Sequence, residues 1–245
     1  MAHVGIFQCV MMLGYFGLGV FTLSQSTFHK RIENFFCVLY DASLYGIYSC
    51  TVLIAINRLV VMTSVTELKK LVYHLILAGI WFIVVSHIIL AFTPLLDYTF
   101  NHEYALCSIT SKHALRAYYE NISYYFIISC LSFSLCCYVL TASWLTYYRK
   151  RGNSQQINAA QIRILGVGFV MFVSCGVNLL ITHFTEELFD MRSAPAAILM
   201  FIVQFNFGFL DPIVYVTVNR ELRQILFKKS NSVMTVNTIS KTFRH

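Results

Sequence analysis

Six long stretches of this chain contain no Asp, Glu, Lys or Arg, and this pattern limits the possible folds more than any other feature. They are residues 1–29, 42–57, 71–96, 121–148, 164–185 and 193–210. A helix needs about 20 mainly apolar residues to cross the hydrocarbon core of a bilayer. Hydrophobic residues make up 58% of the 245 positions, which is more than a soluble core of this size buries. The chain is therefore predicted to be a multi-pass membrane protein.

The apolar stretches predict an all-α fold, a single bundle of six transmembrane helices. We place the helices near residues 4–25, 34–61, 71–94, 121–148, 163–184 and 195–219. Two-residue alternation is absent from them, which favours helices over barrel strands. The first stretch could instead be a secretory signal peptide, but no Lys or Arg precedes it and no small-residue cleavage site follows, so we interpret it as a retained helix. Residues 1–229 are the predicted membrane domain, and residues 230–245 a disordered polar tail.

Basic residues are distributed unevenly between the two ends of these helices. Thirteen of the 18 Lys and Arg residues flank one end, and five flank the other. The positive-inside rule predicts that the more basic end and the tail are cytoplasmic. A net charge of +7 would point to nucleic acid in a soluble protein. Here the distribution of charge indicates membrane orientation, so no nucleic-acid partner is expected.

The cysteines fit this orientation. Six of the eight lie within predicted spans, where a thiol behaves as a small apolar group. Only Cys37 and Cys107 lie in or beside extracellular segments, where disulfides form. We predict a Cys37–Cys107 bond that ties the long loop, residues 95–120, to the outer end of the second helix. The alternative is two unrelated thiols. On the same side, Asn121 begins an N-glycosylation signal, Asn-Ile-Ser.

Two polar motifs interrupt the cytoplasmic ends of helices. Asn57 and Arg58 end the apolar run of the second helix, where Arg58 either snorkels at the boundary or switches partners between two states. Asp211 lies in an apolar helix, where a charge costs roughly 2.5 kcal/mol or more unless it faces a polar interior. Pro212 is expected to kink that helix, with Tyr215 about one turn beyond Asp211. The second motif predicts a hydrated hinge or, alternatively, a structural Asp with a polar partner.

The segment after this hinge, residues 219–229, is basic and amphipathic. Leu222, Ile225 and Leu226 recur at helical spacing between Lys and Arg residues. This pattern predicts a short helix that lies on the anionic inner leaflet and anchors the chain to the lipid bilayer.

Together, these motifs resemble those of rhodopsin-like G-protein-coupled receptors: NRLVV ending one helix, DPIVY in the last, the basic segment after it and the two outer cysteines. More narrowly, YDASLYGIYSCTVLIAINRL combined with YVTVNRELR is similar to the nematode serpentine chemoreceptors of class X or class T. The resemblance implies a chemosensory receptor in the plasma membrane of a sensory cell. Such a receptor passes the binding of a small extracellular ligand to a heterotrimeric G protein.

The resemblance also implies roles for individual residues. Arg58 becomes the switch arginine, with Asn57 in place of the usual acid, so the resting ion pair cannot form and raised basal activity is expected. The Asp211, Pro212 and Tyr215 set becomes the motif of the last helix. The expected G-protein contacts are all basic: Arg58, Arg149, Lys150, Arg151 and Arg163. Receptors of this type have seven helices, and the first helix here matches their second, which implies that their first helix is missing from this chain.

Polar residues in the outer halves of the helices are the predicted ligand contacts: Tyr40, Asp41, Tyr45, Tyr124, Tyr125 and His183. Asp41 is the most informative, because a carboxylate within the membrane suits a cationic ligand, pairs with another polar residue or bonds within the extracellular rim. In the amine receptors of this family the ligand carboxylate lies eighteen residues before the switch arginine, where this chain has Tyr40. An amine is therefore not specifically indicated. The last helix has no lysine for a retinal Schiff base, and no cofactor is expected.

No metal or catalytic cluster is predicted, and the chain is not expected to be an enzyme. His74 and His87 have no cysteine or carboxylate set beside them in the sequence. A six-helix transporter is the alternative function, with Asp41 and Asp211 as substrate or proton relays. A truncated receptor that does not signal is a further alternative.

Overall fold

In a computed structural model, the described part of the chain forms a bundle of six α-helices with one small β-hairpin. The structure describes residues 2–63, 70–93, 96, 98–101, 106–109, 115–150, 159–188, 193–206, 213 and 217. The helices are α1 (Ala2–Ser24), α2 (Lys30–Thr63), α3 (Lys70–Ala91), α4 (Leu115–Lys150), α5 (Ala159–Leu188) and α6 (Ala194–Phe205). The strands β1 (Tyr98–Asn101) and β2 (Leu106–Ile109) lie between α3 and α4. The prediction of an all-α bundle with six helices is confirmed.

Five of the helices, α1 to α5, are long and apolar enough to cross a membrane. Helices α2, α4 and α5 contain 34, 36 and 30 residues. They exceed the roughly 20 residues that a span needs, and each extends beyond its predicted boundaries. Helix α6 begins after Ser193, whose side chain accepts a hydrogen bond from the backbone N–H of Ala196. Most of the chain predicted to continue this helix lies outside the described residues, as do the segment 219–229 and the tail.

Helix α2 is the centre of the bundle, since it packs against α1, α3, α4, α5 and β1. Three glycines at its crossing with α1, Gly14, Gly17 and Gly46, allow the helices to approach closely. A Cβ atom at Gly14 would lie 3.0 Å from the backbone nitrogen of Tyr40, and one at Gly46 would lie 2.6 Å from the ring of Phe7. Close backbone approach stabilises helix pairs in a bilayer, where burial of apolar surface away from lipid adds little.

The long loop contains an antiparallel hairpin that the sequence did not predict. Tyr98 pairs with Ile109, and Phe100 pairs with Cys107. Because side chains alternate between the two faces of a strand, these residues share one face, and it packs on an apolar cluster with Phe21 of α1. The hairpin therefore covers one end of the bundle around the start of α2.

Candidate ligand site beneath the hairpin

Two side chains near the start of α2 bond to the edge of β1 that faces this helix. The Nζ of Lys30 donates to the carbonyl of Tyr98 at 2.7 Å, and Glu33 Oε1 accepts from the backbone N–H of Phe100 at 2.5 Å. Glu33 is only 6% exposed. It therefore satisfies a buried backbone donor on a strand edge. Neither Lys30 nor Glu33 is among the site residues predicted from the sequence.

Cys37, one turn further along α2, forms a disulfide bond with Cys107 of β2, as predicted. Their Cα atoms are 5.6 Å apart, and the bond joins positions separated by 70 residues. Cys37 is fully buried. The other six cysteines are free thiols. The N-terminal end of α2 is thus attached to both strands of the hairpin, by hydrogen bonds to β1 and by a covalent bond to β2.

Asp41, another turn along the same face of α2, lies at the centre of a polar network. The hydroxyl of Tyr98 donates to Asp41 Oδ2 at 2.6 Å. Nε2 of His87, on α3, lies 3.1 Å from the same oxygen, but the two groups are not oriented for a hydrogen bond. The side chain of His87 is 5% exposed and that of Asp41 is 27% exposed. Asp41 therefore pairs with polar residues of the hairpin and of α3, and its role towards a cationic ligand stays a prediction.

His87 and Tyr45 extend this network to α4. The hydroxyl of Tyr119 contacts His87 Nδ1, and the hydroxyl of Tyr45 donates to Ser123 Oγ. The Tyr45 and Tyr119 hydroxyls are 3.3 Å apart. The rings of Tyr45 and His87 also pack together, with centroids 4.6 Å apart. The network therefore joins α2, α3, α4 and the hairpin.

Tyr98 is the network residue outside the membrane-spanning segments. Burial, and then the negative charge of Asp41, raise the pKa of its hydroxyl well above the ordinary value of 10.0. The hydroxyl therefore keeps its proton at physiological pH and remains a donor to Asp41. This donor gives the hairpin a direct polar contact with the site below it.

Three of the predicted ligand contacts lie close together on α2 but point to different neighbours. Asp41 and Tyr45 belong to the polar network. Tyr40 packs against Tyr15 of α1, with ring centroids 4.9 Å apart. The structure therefore brings Asp41 and Tyr45 together and directs Tyr40 towards the α1 crossing.

The other three predicted ligand contacts lie on α4 and α5. Tyr124 and His183 contact each other, with ring centroids 5.8 Å apart. Tyr125 is 66% exposed. Tyr124 also contacts Tyr125, with ring centroids 6.1 Å apart, so these three residues form an aromatic patch on α4 and α5.

At the other end of α2, Asn57 and Arg58 line a cavity of ≈ 50 Å³. Both side chains are partly buried. Several predicted residues lie outside the described part of the chain: Arg151, Asp211, Pro212 and Tyr215. For others the structure gives the helical backbone but no description of the side chain: Arg149, Lys150 and Arg163. Asn121 is exposed on α4, and its glycosylation stays a prediction.

The network contains four residues that are absent from the predicted ligand contacts: His87, Tyr98, Tyr119 and Ser123. Only His87 carried a usable signal, since an ionisable residue within a membrane span is a functional candidate by default. Tyrosines near the ends of spans are common at membrane interfaces. Their presence alone therefore does not identify a site.

The arrangement offers a carboxylate, an imidazole and three phenolic hydroxyls in contact with one another. Such groups bind a ligand through hydrogen bonds, or hold and pass a proton. No group of three or more His, Cys, Asp and Glu side chains within the described residues is placed to hold a metal ion.

A comparison with protein-family models finds no match, and a comparison with characterised proteins finds no significant one. The length and composition of α1 to α5 nevertheless indicate a multi-pass helical protein of the membrane.

Proposed function

We propose that the chain is a chemosensory receptor of the rhodopsin-like G-protein-coupled class, resembling the nematode serpentine receptors of class X or class T. It passes the binding of a small extracellular ligand to a heterotrimeric G protein at the plasma membrane of a sensory cell. The main support is helix α2, one continuous helix of 34 residues. It carries the hairpin and the polar network at one end and Asn57 with Arg58 at the other.

The proposed ligand site lies beside Asp41 and Tyr45, beneath the hairpin. Asp41 is approachable because its side chain is 27% exposed. Tyr98 and His87 already contact its carboxylate, so a ligand with hydrogen-bond donors competes with them and favours a second arrangement of the helices. In this proposal the aromatic patch of Tyr124, Tyr125 and His183 is a secondary contact, as is Tyr40.

The proposed G-protein contact lies at the opposite end of α2. Asp41 and Arg58 are 17 positions apart in the same helix, which corresponds to about 25 Å along its axis. A rigid helix of this length connects the ligand site to the cytoplasmic face without an intervening loop. The proposed basic surface is completed by Arg149, Lys150, Arg151 and Arg163. Asp211, Pro212 and Tyr215 are the proposed hinge of the last helix.

The test measures nucleotide exchange on a purified heterotrimeric G protein by membranes that contain the full chain. Because Asn57 replaces an acid, exchange without ligand should exceed that of membranes lacking the chain. Arg58→Ala should lower this exchange about tenfold or more, because a lost hydrogen bond to a charged group costs roughly 1.5–3 kcal/mol. Arg31→Ala, at the opposite end of α2, is the matched control. Equal exchange by the Arg58→Ala variant and the parent, at equal surface amounts, would contradict the proposal.

A six-helix transporter is the second candidate, favoured by the contacts that link Asp41, His87 and Tyr119. Carboxylates and histidines in membrane interiors often relay protons. A transporter predicts solute or proton flux in proteoliposomes that Asp41→Asn or Asp211→Asn abolishes, together with no nucleotide exchange. If the chain is a truncated receptor that does not signal, neither flux nor nucleotide exchange is expected, even when the protein reaches the cell surface.

A further inference from the structure

We propose that the cavity at the inner end of α2 binds a phosphate group. The cavity lies among α1, α2 and α3 and has a volume of ≈ 50 Å³. That volume holds a few water molecules or a small anion. The proposal is independent of signalling, since it concerns a membrane protein of either candidate function.

The lining of this cavity combines an apolar floor with hydrogen-bond donors. Its polar lining residues are His3, Asn57, Arg58 and Tyr73. Among the described residues that line it there is no Asp or Glu. The guanidinium of Arg58 is always charged, and its planar fork matches the geometry of phosphate oxygens. Asn57 and Tyr73 add neutral donors. The site is therefore chemically suited to an anion rather than a cation.

His3 contributes another donor to the cavity. The indole Nε1 of Trp81 donates to His3 Nδ1 at 3.4 Å. An indole N–H only donates, so Nδ1 must be the unprotonated nitrogen of the imidazole, and the proton of the neutral ring lies on Nε2. Trp81 thus fixes the tautomer in which the second ring nitrogen of His3 is a donor.

The position of the cavity places it close to two sources of phosphate. Arg58 lies near the end of α2, at the end of the bundle that the distribution of basic residues assigns to the cytoplasm. Phosphate is present there in the headgroups of anionic lipids and as a soluble anion. Both sources offer the same oxygens to the same donors, so the experiment has an arm for each.

The test uses the fluorescence of Trp81, which contacts the cavity residue His3. The chain has two tryptophans, so Trp144→Phe leaves Trp81 as the single reporter. In the lipid arm, the protein is placed in phosphatidylcholine nanodiscs with increasing phosphatidic acid. In the soluble arm, phosphatidylcholine nanodiscs are titrated with inorganic phosphate. We expect a saturable change in Trp81 emission, and a higher unfolding temperature, in at least one arm.

Two variants remove different donors, so that misfolding of one does not decide the result. Arg58→Gln and Asn57→Leu should each weaken binding, and the loss for Arg58→Gln should be about tenfold or more because a charged hydrogen bond is removed. The control is Arg31→Gln, which removes one positive charge from an exposed position at the other end of α2, away from the cavity. The control should bind within about twofold of the parent.

The two arms separate the sources of the ligand. A response to phosphatidic acid alone assigns the site to a lipid headgroup, and a response to inorganic phosphate alone assigns it to a soluble anion. The proposal is wrong if neither arm changes the emission or the unfolding temperature. It is equally wrong if the cavity variants respond as the parent does, or if the Arg31→Gln control loses the response.

Discussion

Replacing Glu33 with alanine should release β1 from α2 while the disulfide keeps β2 attached. Glu33 Oε1 accepts from the backbone N–H of Phe100 at 2.5 Å, and both residues are buried. Alanine leaves that N–H without its acceptor in a place that water does not reach. Glu33→Gln is the matched variant, because it keeps an oxygen at the same distance along the side chain and removes only the charge.

The expected size of the effect comes from this one contact. A buried donor that loses its acceptor costs about 1–3 kcal/mol. The ion pair of Glu33 with Lys30 adds little, since the atoms are 3.8 Å apart and the Lys30 side chain is 45% exposed. A loss of about 2 kcal/mol corresponds to roughly a 30-fold change in the opening equilibrium of the strand. For Glu33→Gln we expect a loss near 1 kcal/mol, or about fivefold.

Hydrogen exchange measures this opening directly. In detergent-purified protein, a peptide that covers residues 98–101 should exchange about 30 times faster in Glu33→Ala than in the parent. Peptides from α4 and α5 should keep their exchange rates, because the change is local. Equal exchange rates for the alanine and glutamine variants would refute the assigned role of the Glu33 oxygen. Unchanged exchange in both would show that β1 is held by other contacts.

Three further predictions concern the disulfide, the helix crossing and the hairpin. Cys37→Ala should lower the free energy of unfolding by up to roughly 4 kcal/mol, the chain-entropy value for the 70-residue separation, as measured by denaturant titration in detergent. Gly46→Ala should destabilise by about 1–3 kcal/mol because the added methyl meets a buried ring. Gly79→Ala, where nothing lies within 4 Å, should instead stabilise by about 0.5–1 kcal/mol in the same unfolding assay. Folding raises the pKa of the Tyr98 hydroxyl. The contribution of this hydroxyl to the free energy of unfolding is therefore complete below about pH 10 and is lost as the pH rises further. Unfolding temperature should therefore fall between pH 9 and 12, and less steeply in Tyr98→Phe.

Apolar stretches predicted the number and order of the helices because the membrane requires about 20 such residues for each span. The helix boundaries were less predictable where charged residues form the end of a helix. Lys30 and Glu33 were placed before the second helix because both are charged, yet they begin α2 and bond to the hairpin. A tertiary contact outside the hydrocarbon region decides this boundary, and hydropathy carries no information about it.

The candidate site was predictable only in part. Asp41 stood out because a carboxylate in a membrane span is costly, and Cys37 because it lies beside a predicted extracellular segment. Their partners in the network lie far away in sequence: the Tyr98 hydroxyl contacts Asp41 across 57 positions, and Ser123 contacts Tyr45 across 78. Periodicity describes one helix at a time, so it does not identify which residues meet between helices.

The Cys37–Cys107 bond also has a consequence for biosynthesis. Between the two cysteines lie most of α2 and the whole of α3, two helices that are each long and apolar enough to cross a membrane, which implies two crossings. The two thiols reach the same compartment only after both crossings are complete, and a chain whose α3 fails to insert leaves them separated by the bilayer. Formation of the bond therefore records correct insertion of this helix pair, and the oxidised fraction of newly made chain measures how often insertion succeeds.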